Sequence, residues 1–428
     1  MQKHELSELQ TGERVISERV PGVRSVALGV WIAAGSRDEP NARAGVSHFI
    51  EHLLFKGSSR YSAQKIAETF DELGGELNAA TSRETTMVYA RVPDTKLEVA
   101  LDVVADMVYR PSFVDVDAER EVVLEEIAMV EDTPHDLVHD IAAETVFGSH
   151  PLGRPVIGRA EVISSVSRRA LSGYHHRAYS GERLVFAAAG SVRHDDLVRL
   201  VEERRNGAVA GTSLAPRRPV RRTPRPGARF QRKATEQYHV CLSAPGIART
   251  DERRFAASIL DAIVGGSASS RLFQEIREKR GMAYSVYSYQ SQYSDTGQVG
   301  LYVGTRAETL AGSLEIAVSE LADVAAGNLR RYELERAKEN LKGRMLLSLE
   351  STSNRMSRLG KATATETPLL SVEEIVKRLE AVTAEEVAEL AADLLAPERL
   401  SAAGIGPDEG RFREAVARIN PSLLSEAA

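Results

Sequence analysis

The chain has 428 residues, a formal net charge of −6, 43% hydrophobic residues and 27% charged residues. This length accommodates two domains of ordinary size, and the composition is that of a folded globular protein, which excludes a disordered or fibrous chain. The acidic balance argues against a nucleic-acid-binding protein, and the single cysteine, Cys241, excludes an internal disulfide.

Hydrophobic periodicity predicts a mixture of strands and helices in the first part of the chain. The predicted elements are a strand at 26–34, helices at 45–55 and 63–73, a strand at 85–92, and helices at 97–109 and 115–130. The longest apolar run, at 26–35, suits a buried strand but is too short to cross a bilayer. The N-terminal segment also lacks the apolar region of a secretory signal peptide, so we expect a cytoplasmic protein that does not enter the membrane.

The predicted helix at 45–55 carries a metal-binding motif. His48 and His52 lie four residues apart, so their imidazoles share one helix face, and Glu51 lies on the same face three residues after His48. Two neutral imidazoles suit zinc, and a neighbouring carboxylate suits a general base. The order H-x-x-E-H is that of the inverzincins. The motif therefore predicts a zinc peptidase centre that still lacks a third protein ligand.

Acidic residues in the predicted helix at 115–130 are candidates for that third ligand. Glu119 and Glu126 are seven residues apart, which places both on one face, whereas Glu125 points elsewhere. A second pair, His135 and His139, also has i,i+4 spacing. This pair is compatible with a second metal site, but a polar helix start with solvated histidines is the favoured interpretation.

The chain is predicted to be a tandem duplication. The run RLVFAAAGSV begins at Arg183 and the similar RLSAAGIGP begins at Arg399, 216 residues later. Between the halves, residues 204–229 contain eight arginines, four prolines and no acidic residue, which is typical of a solvated linker. We therefore predict an N-terminal zinc-binding domain at 1–205, a linker at 206–229 and a C-terminal domain at 230–428. The second half lacks the zinc motif.

The segments HFIEHLLFKG, ELNAATSRETT and EREVVLEEI together resemble the pitrilysin/insulinase metallopeptidases, in the branch that contains the mitochondrial processing peptidase β subunit and its bacterial relatives. The resemblance extends over nearly the whole chain. It implies that Glu126 is the third zinc ligand and that Glu119 is a supporting acidic residue. It also implies an α+β fold whose two homologous halves form a clamshell around a proteolytic chamber.

The same resemblance suggests how substrate is handled. The segment 77–82 resembles the family's substrate-binding edge strand, where Asn78 and the backbone around Ala79 grip an extended peptide. In the second half, Arg277 and Tyr284 match an Arg/Tyr pair that reaches the active site and stabilises the oxyanion. Cys241 lies in a strand pattern and is predicted to be a buried structural thiol.

These features predict a zinc-dependent endopeptidase with one Zn²⁺ per chain. Glu51 is expected to take a proton from the attacking water and to deliver it to the leaving amine. The expected substrates are unfolded peptides or presequence-like segments. A homodimer is expected, with a heterodimer containing an inactive homologue as the alternative. The competing hypothesis is a non-catalytic structural or recognition subunit of the same fold.

Overall fold

A computed structural model describes residues 4–205, 214–221 and 223–424. Its contacts divide the chain into two compact units, each assembled from three segments. The first unit contains Met1–Ala128, Arg154–Arg218 and Leu346–Ser371, and the second contains Met129–Gly153, Pro219–Met345 and Val372–Ala428. Each unit therefore includes a segment from the half of the sequence that mainly forms the other unit.

Each unit is built on one mixed β-sheet. The strands are β1 His4–Glu8, β2 Arg14–Arg19, β3 Ser25–Ile32, β4 Glu76–Thr81, β5 Thr86–Pro93, β6 Leu184–Gly190, β7 Ala228–Arg232, β8 Tyr238–Gly246, β9 Ala283–Gln292, β10 Gly297–Thr305 and β11 Ser401–Gly406. The first sheet has the order β1-β2-β6-β3-β5-β4, and the second has the order β7-β11-β8-β10-β9.

The two sheets share one topology, which supports the predicted duplication. If β1 is set aside, β2, β6, β3, β5 and β4 correspond in order to β7, β11, β8, β10 and β9. The pairs β2/β6 and β7/β11 are parallel, and the remaining pairs of both sheets are antiparallel. Strand order and direction thus repeat together, as expected for two copies of one α+β unit.

Fifteen α-helices surround the two sheets in the part of the chain that the structure describes. They are α1 Val46–Leu54, α2 Ala63–Leu73, α3 Leu97–Tyr109, α4 Val116–Asp132, α5 Pro134–Phe147, α6 Ala160–Ser165, α7 Arg168–Ala178, α8 His194–Arg205, α9 Arg254–Val264, α10 Leu310–Ala325, α11 Arg331–Ser348, α12 Thr352–Ala364, α13 Val372–Ala381, α14 Ala384–Leu395 and α15 Glu409–Ile419. The predicted helices at 63–73 and 97–109 match α2 and α3, and the other predicted elements agree to within two residues.

In the first unit, the sheet is covered on both faces, which explains why β3 is apolar throughout. Leu28 and Val30 face the main core with α1 and α3, whereas Ala27 and Trp31 face α12. A strand buried on both faces loses the alternation of polar and apolar residues. The strand β3 therefore reads as one continuous apolar run in the sequence.

Glycines allow α12 to approach β3 closely. A Cβ atom at Gly360 would lie 2.0 Å from Nε1 of Trp31, and one at Gly29 would lie 2.4 Å from Sδ of Met356. Both separations are far below van der Waals contact, so a side chain at either position would force Trp31 or Met356 to shift.

In the second unit, α5 covers the corresponding face of the second sheet and packs on β8 and β11. Cys241 is fully buried there, as predicted, and burial raises the pKa of its thiol to about 12. The interpretation as solvated histidines fits His135, whose side chain is 45% exposed. It does not fit His139, which is partly buried with its Nε2 2.8 Å from the Tyr287 hydroxyl. Among the described residues, neither histidine belongs to a group of three or more side chains whose ligand atoms could share a metal ion.

The Arg/Pro-rich segment is only partly described, since residues 206–213 and 222 lie outside the described ranges. In the part that is described, Arg217 is not solvated as a linker residue would be. Its Nε lies 2.9 Å from Oδ1 of Asp38 and its side chain is 22% exposed. Among the described residues, no helix has both the length and the apolar character needed to cross a membrane.

Candidate metal centre

Helix α1 presents the H-x-x-E-H motif because its opposite face is buried. Phe49, Ile50 and Leu53 are fully buried in the core of the first unit. With 3.6 residues per turn, the remaining face carries the three polar residues of the motif. These residues are His48, Glu51 and His52.

A buried carboxylate holds the start of α1. Glu39 accepts hydrogen bonds from the backbone N–H groups of Gly45 at 2.8 Å and Ser47 at 2.7 Å, so it satisfies two donors that the first turn leaves unpaired. Arg154 lies behind it and donates to the Glu39 carbonyl at 2.9 Å. Gly45 has φ of +99° and packs against Gly158. This cap fixes where the motif begins relative to the core.

The burial of Glu39 leads to a pH-dependent prediction. Desolvation raises the pKa of Glu39 from 4.5 to about 7, against the opposing effect of its N–H donors. A raised pKa in the folded state contributes stability that is full below pH 4.5 and is lost as the pH rises through about 7. The wild-type protein should therefore lose about 3 kcal/mol of unfolding free energy relative to Glu39→Gln between pH 4.5 and pH 8.

Urea unfolding of the zinc-free wild type and of Glu39→Gln at several pH values measures this trend. Gln accepts only one of the two N–H groups, so the unfolding free energy of Glu39→Gln should also differ from that of the wild type by an amount that does not depend on pH. Glu125→Gln, at an exposed position on α4, is the matched control and should follow the wild type at every pH. A difference between wild type and Glu39→Gln that stays constant with pH would contradict the raised pKa.

Three side chains from α1 and α4 converge on one point. Oε2 of Glu126 lies 3.2 Å from Nε2 of His52 and 3.6 Å from Nε2 of His48. The three ligand atoms all lie within 4.8 Å of one another. The structure thus brings together the three residues that were predicted to bind the metal.

The separations fit a zinc ion. Tetrahedral ligands at about 2.1 Å from zinc stand about 3.4 Å apart, close to the spacing of these atoms. Two imidazole nitrogens and one carboxylate oxygen are the donor set of a catalytic zinc site that keeps its fourth position open. Burial, together with the nearby His52, lowers the pKa of His48 to about 4, so this ligand is neutral over the physiological range.

Glu119 supports the metal ligands from the side. Its Oε1 lies 2.8 Å from Nδ1 of His52, and its Oε2 forms an ion pair with Nζ of Lys56 at 2.7 Å. A hydrogen bond from Nδ1–H to the carboxylate leaves the lone pair of His52 Nε2 free for a metal. Helical spacing placed Glu119 and Glu126 on one face without separating their roles, and in the structure they contact different nitrogens of His52, Nδ1 and Nε2 respectively.

Glu51 lies beside the ligands, half-buried, and accepts a hydrogen bond from the Thr81 hydroxyl. Burial raises its pKa, and the bond from Thr81 opposes that rise. The Tyr179 hydroxyl is buried without a hydrogen-bond partner among the described residues, and burial and the charge of Glu51 raise its pKa. No pattern in the sequence assigns Thr81 or Tyr179 to this site, because both are far from the motif in the chain.

The predicted substrate strand lies at a sheet edge. Among the strands of the described residues, β4 pairs with β5 alone, so its other side is a sheet edge. The backbone N–H of Ala79 donates to Oδ1 of Asn78 at 2.8 Å rather than to β5, which places this donor on the free side. Leu77 and Ala79 pack against the core, and Asn78 is exposed.

Arg277 and Tyr284 lie in the second unit, Arg277 on a short π-helical segment, Phe273–Glu278, and Tyr284 on β9. The guanidinium carbon of Arg277 lies 4.4 Å from the centre of the Tyr284 ring, a cation–π contact, and Tyr284 is 76% exposed. The two residues thus contact each other, and their role at the zinc site stays a prediction from the resemblance.

Comparisons with known proteins assign the family. Residues 14–160 match the model for insulinase (peptidase family M16), and residues 165–341 match that for the peptidase M16 inactive domain. An uncharacterized zinc protease of Streptomyces coelicolor is 44% identical over 422 residues, covering 96% of this chain and 92% of that protein. An uncharacterized zinc protease of Bacillus subtilis is 42% identical over 388 residues, covering 90% of this chain and 94% of that protein.

Two solved structures share the fold. A protease from Helicobacter pylori has a TM-score of 0.89 at 20% identity and covers 95% of this chain and 100% of its own. A peptidase M16 inactive domain from Pseudomonas fluorescens has a TM-score of 0.88 at 24% identity and covers 95% and 98%. The chain has the two-domain α+β architecture that was predicted, and it belongs to the insulinase (M16) family of zinc peptidases.

Proposed function

We propose that the chain is a zinc-dependent endopeptidase that hydrolyses peptide bonds in unfolded peptides or presequence-like segments. The observation that carries this proposal is the convergence of His48, His52 and Glu126, with Glu51 beside them on the same face of α1. A subunit that only supports an assembly has no need of this arrangement, which disfavours the non-catalytic alternative.

The side chains divide the chemistry between them. His48, His52 and Glu126 would hold one zinc ion per chain, and Glu119 would orient His52. When bound, zinc supplies a Lewis acid that polarises a carbonyl group and acidifies water. Glu51 takes the proton from the attacking water and passes it to the leaving amine. Burial raises the pKa of Glu51, which makes its carboxylate a stronger base.

Substrate binding is proposed at the free side of β4. An extended peptide that adds to this edge would accept from the Ala79 N–H and meet the exposed Asn78. Backbone hydrogen bonds of this kind have little sequence preference, so the substrate must be unfolded but need not have a fixed sequence. By the resemblance, Arg277 and Tyr284 would stabilise the oxyanion.

Other parts of the proposal rest on the sequence. We propose a cytoplasmic homodimer, with a heterodimer containing an inactive homologue as the alternative. The proposal covers both cleavage at defined sites in presequence-like segments and general degradation of unfolded peptides. We propose that the chain arose by duplication of one unit, with a zinc-binding catalytic half at 1–205, a linker at 206–229 and a homologous half at 230–428 that lacks the zinc motif.

A chelation experiment tests the activity. The purified protein should cleave an unstructured, internally quenched peptide library, lose this activity on dialysis against a chelator, and regain it with one equivalent of zinc per chain. A folded protein offered as substrate should stay intact until it is unfolded. Purified protein that holds one zinc per chain and cleaves no peptide would favour the non-catalytic alternative. A survey of the cleavage sites separates defined processing from general degradation.

A further inference from the structure

The side chain of Thr81 joins two parts of the active site. Thr81 is the last residue of β4, and its hydroxyl donates a hydrogen bond to Oε2 of Glu51 on α1. The residue is half-buried, and its side chain shares a face of β4 with those of Leu77 and Ala79, which pack against the core. The contact therefore lies at the boundary between the core and the polar face of α1.

The backbone N–H of Thr81 points to the free edge of β4. In a strand, the N–H groups of residues i and i+2 point to the same side. Since the Ala79 N–H lies on the free side, the Thr81 N–H lies there too. Glu51 thus accepts the Thr81 hydroxyl at the end of the edge where an extended peptide would bind.

We propose that Thr81 is a positioning residue, whose hydroxyl holds the Glu51 carboxylate toward the His48, His52 and Glu126 cluster at the end of the substrate-binding edge. This inference rests on the proposed function. Glu51 has three rotatable bonds, and a fixed acceptor position removes the conformations in which the carboxylate turns away. Because Thr81 belongs to the strand that binds the peptide, the base and the bound peptide would keep a constant spacing.

The hydroxyl must be separated from the rest of the side chain in the test. Thr81→Val keeps the shape and removes the hydroxyl, and Thr81→Ser keeps the hydroxyl. The matched control is Thr86→Val, because Thr86 pairs directly with Thr81 across β4 and β5 but donates its hydroxyl to the Ala34 carbonyl, at 3.0 Å. All variants are made in the full chain with one zinc, and kcat, KM, zinc content and the unfolding midpoint are measured.

Thr81→Val should lower kcat by about 10- to 100-fold, as is typical when a supporting partner of an active-site residue is lost. KM should change by no more than about twofold, zinc content should not change, and Thr81→Ser should recover most of kcat. Thr86→Val should lower the unfolding midpoint and leave kcat unchanged. A purely structural role for Thr81 would make its Val variant behave like Thr86→Val.

A second readout does not depend on activity. Crystal structures of the wild type and of Thr81→Val should show the Glu51 side chain ordered toward the ligands in the first and displaced in the second. Wild-type kcat in Thr81→Val, equal impairment in Thr81→Ser and Thr81→Val, or an unmoved Glu51 side chain in the variant would each overturn the proposal. A wild type that cleaves no peptide refutes the proposed function, and the Glu51 conformation then decides the role of Thr81 separately.

Discussion

Glu51→Gln is expected to lower kcat for peptide hydrolysis by about 10²- to 10⁴-fold, the range that a positioned general base contributes. The amide has nearly the shape of the carboxylate and can still accept the Thr81 hydroxyl, but it cannot take a proton from water. Glu51 contributes none of the three converging ligand atoms. Zinc content should therefore stay at one ion per chain while turnover is lost.

The measurement pairs kinetics on an unstructured peptide with metal analysis of the same samples. Glu125→Gln, an exposed position on α4, is the control and should keep both kcat and zinc. Full activity of Glu51→Gln protein that still holds zinc would refute the assignment of Glu51 as the base. Loss of zinc together with activity would move Glu51 from the role of base to that of ligand.

Glu126→Gln is expected to weaken zinc binding by more than 100-fold. The change removes the only anionic ligand of the three and leaves two imidazoles to hold a divalent cation. Glu119→Gln should have a smaller effect, of about 10- to 100-fold, because Glu119 contacts His52 on the side away from the metal. The order of the two effects distinguishes a ligand from its supporting residue.

Competition with a chromophoric chelator measures the zinc affinities. Glu125→Gln again serves as control, since it removes the same charge one residue earlier on α4, and it should bind zinc as tightly as the wild type. His52→Ala should lose zinc as Glu126→Gln does, whereas His135→Ala should retain it. Wild-type affinity in both Glu126→Gln and His52→Ala would place the metal elsewhere.

Much of the fold follows from local patterns. Helices α2 and α3 begin and end where the periodicity of their apolar residues predicts. The duplication was visible as repeated strand patterns 216 residues apart, and the two sheets share one strand order. The sequence did not show that α5, from the first half of the chain, packs on the second sheet, or that α12, from the second half, packs on the first. The pattern of an amphipathic helix shows that one face is buried but not which sheet covers it.

The sequence by itself determined the zinc motif, since the spacing of His48, Glu51 and His52 on one helix face is a property of the local backbone. It also reduced the candidates for the third zinc ligand to two residues of α4, and the resemblance selected Glu126 from them. Only the tertiary structure decided that Glu126 contacts the Nε2 atoms of both histidines, while Glu119 contacts Nδ1 of His52. The contact between Thr81 and Glu51 also depends on how a sheet edge packs against a helix, which no local pattern encodes.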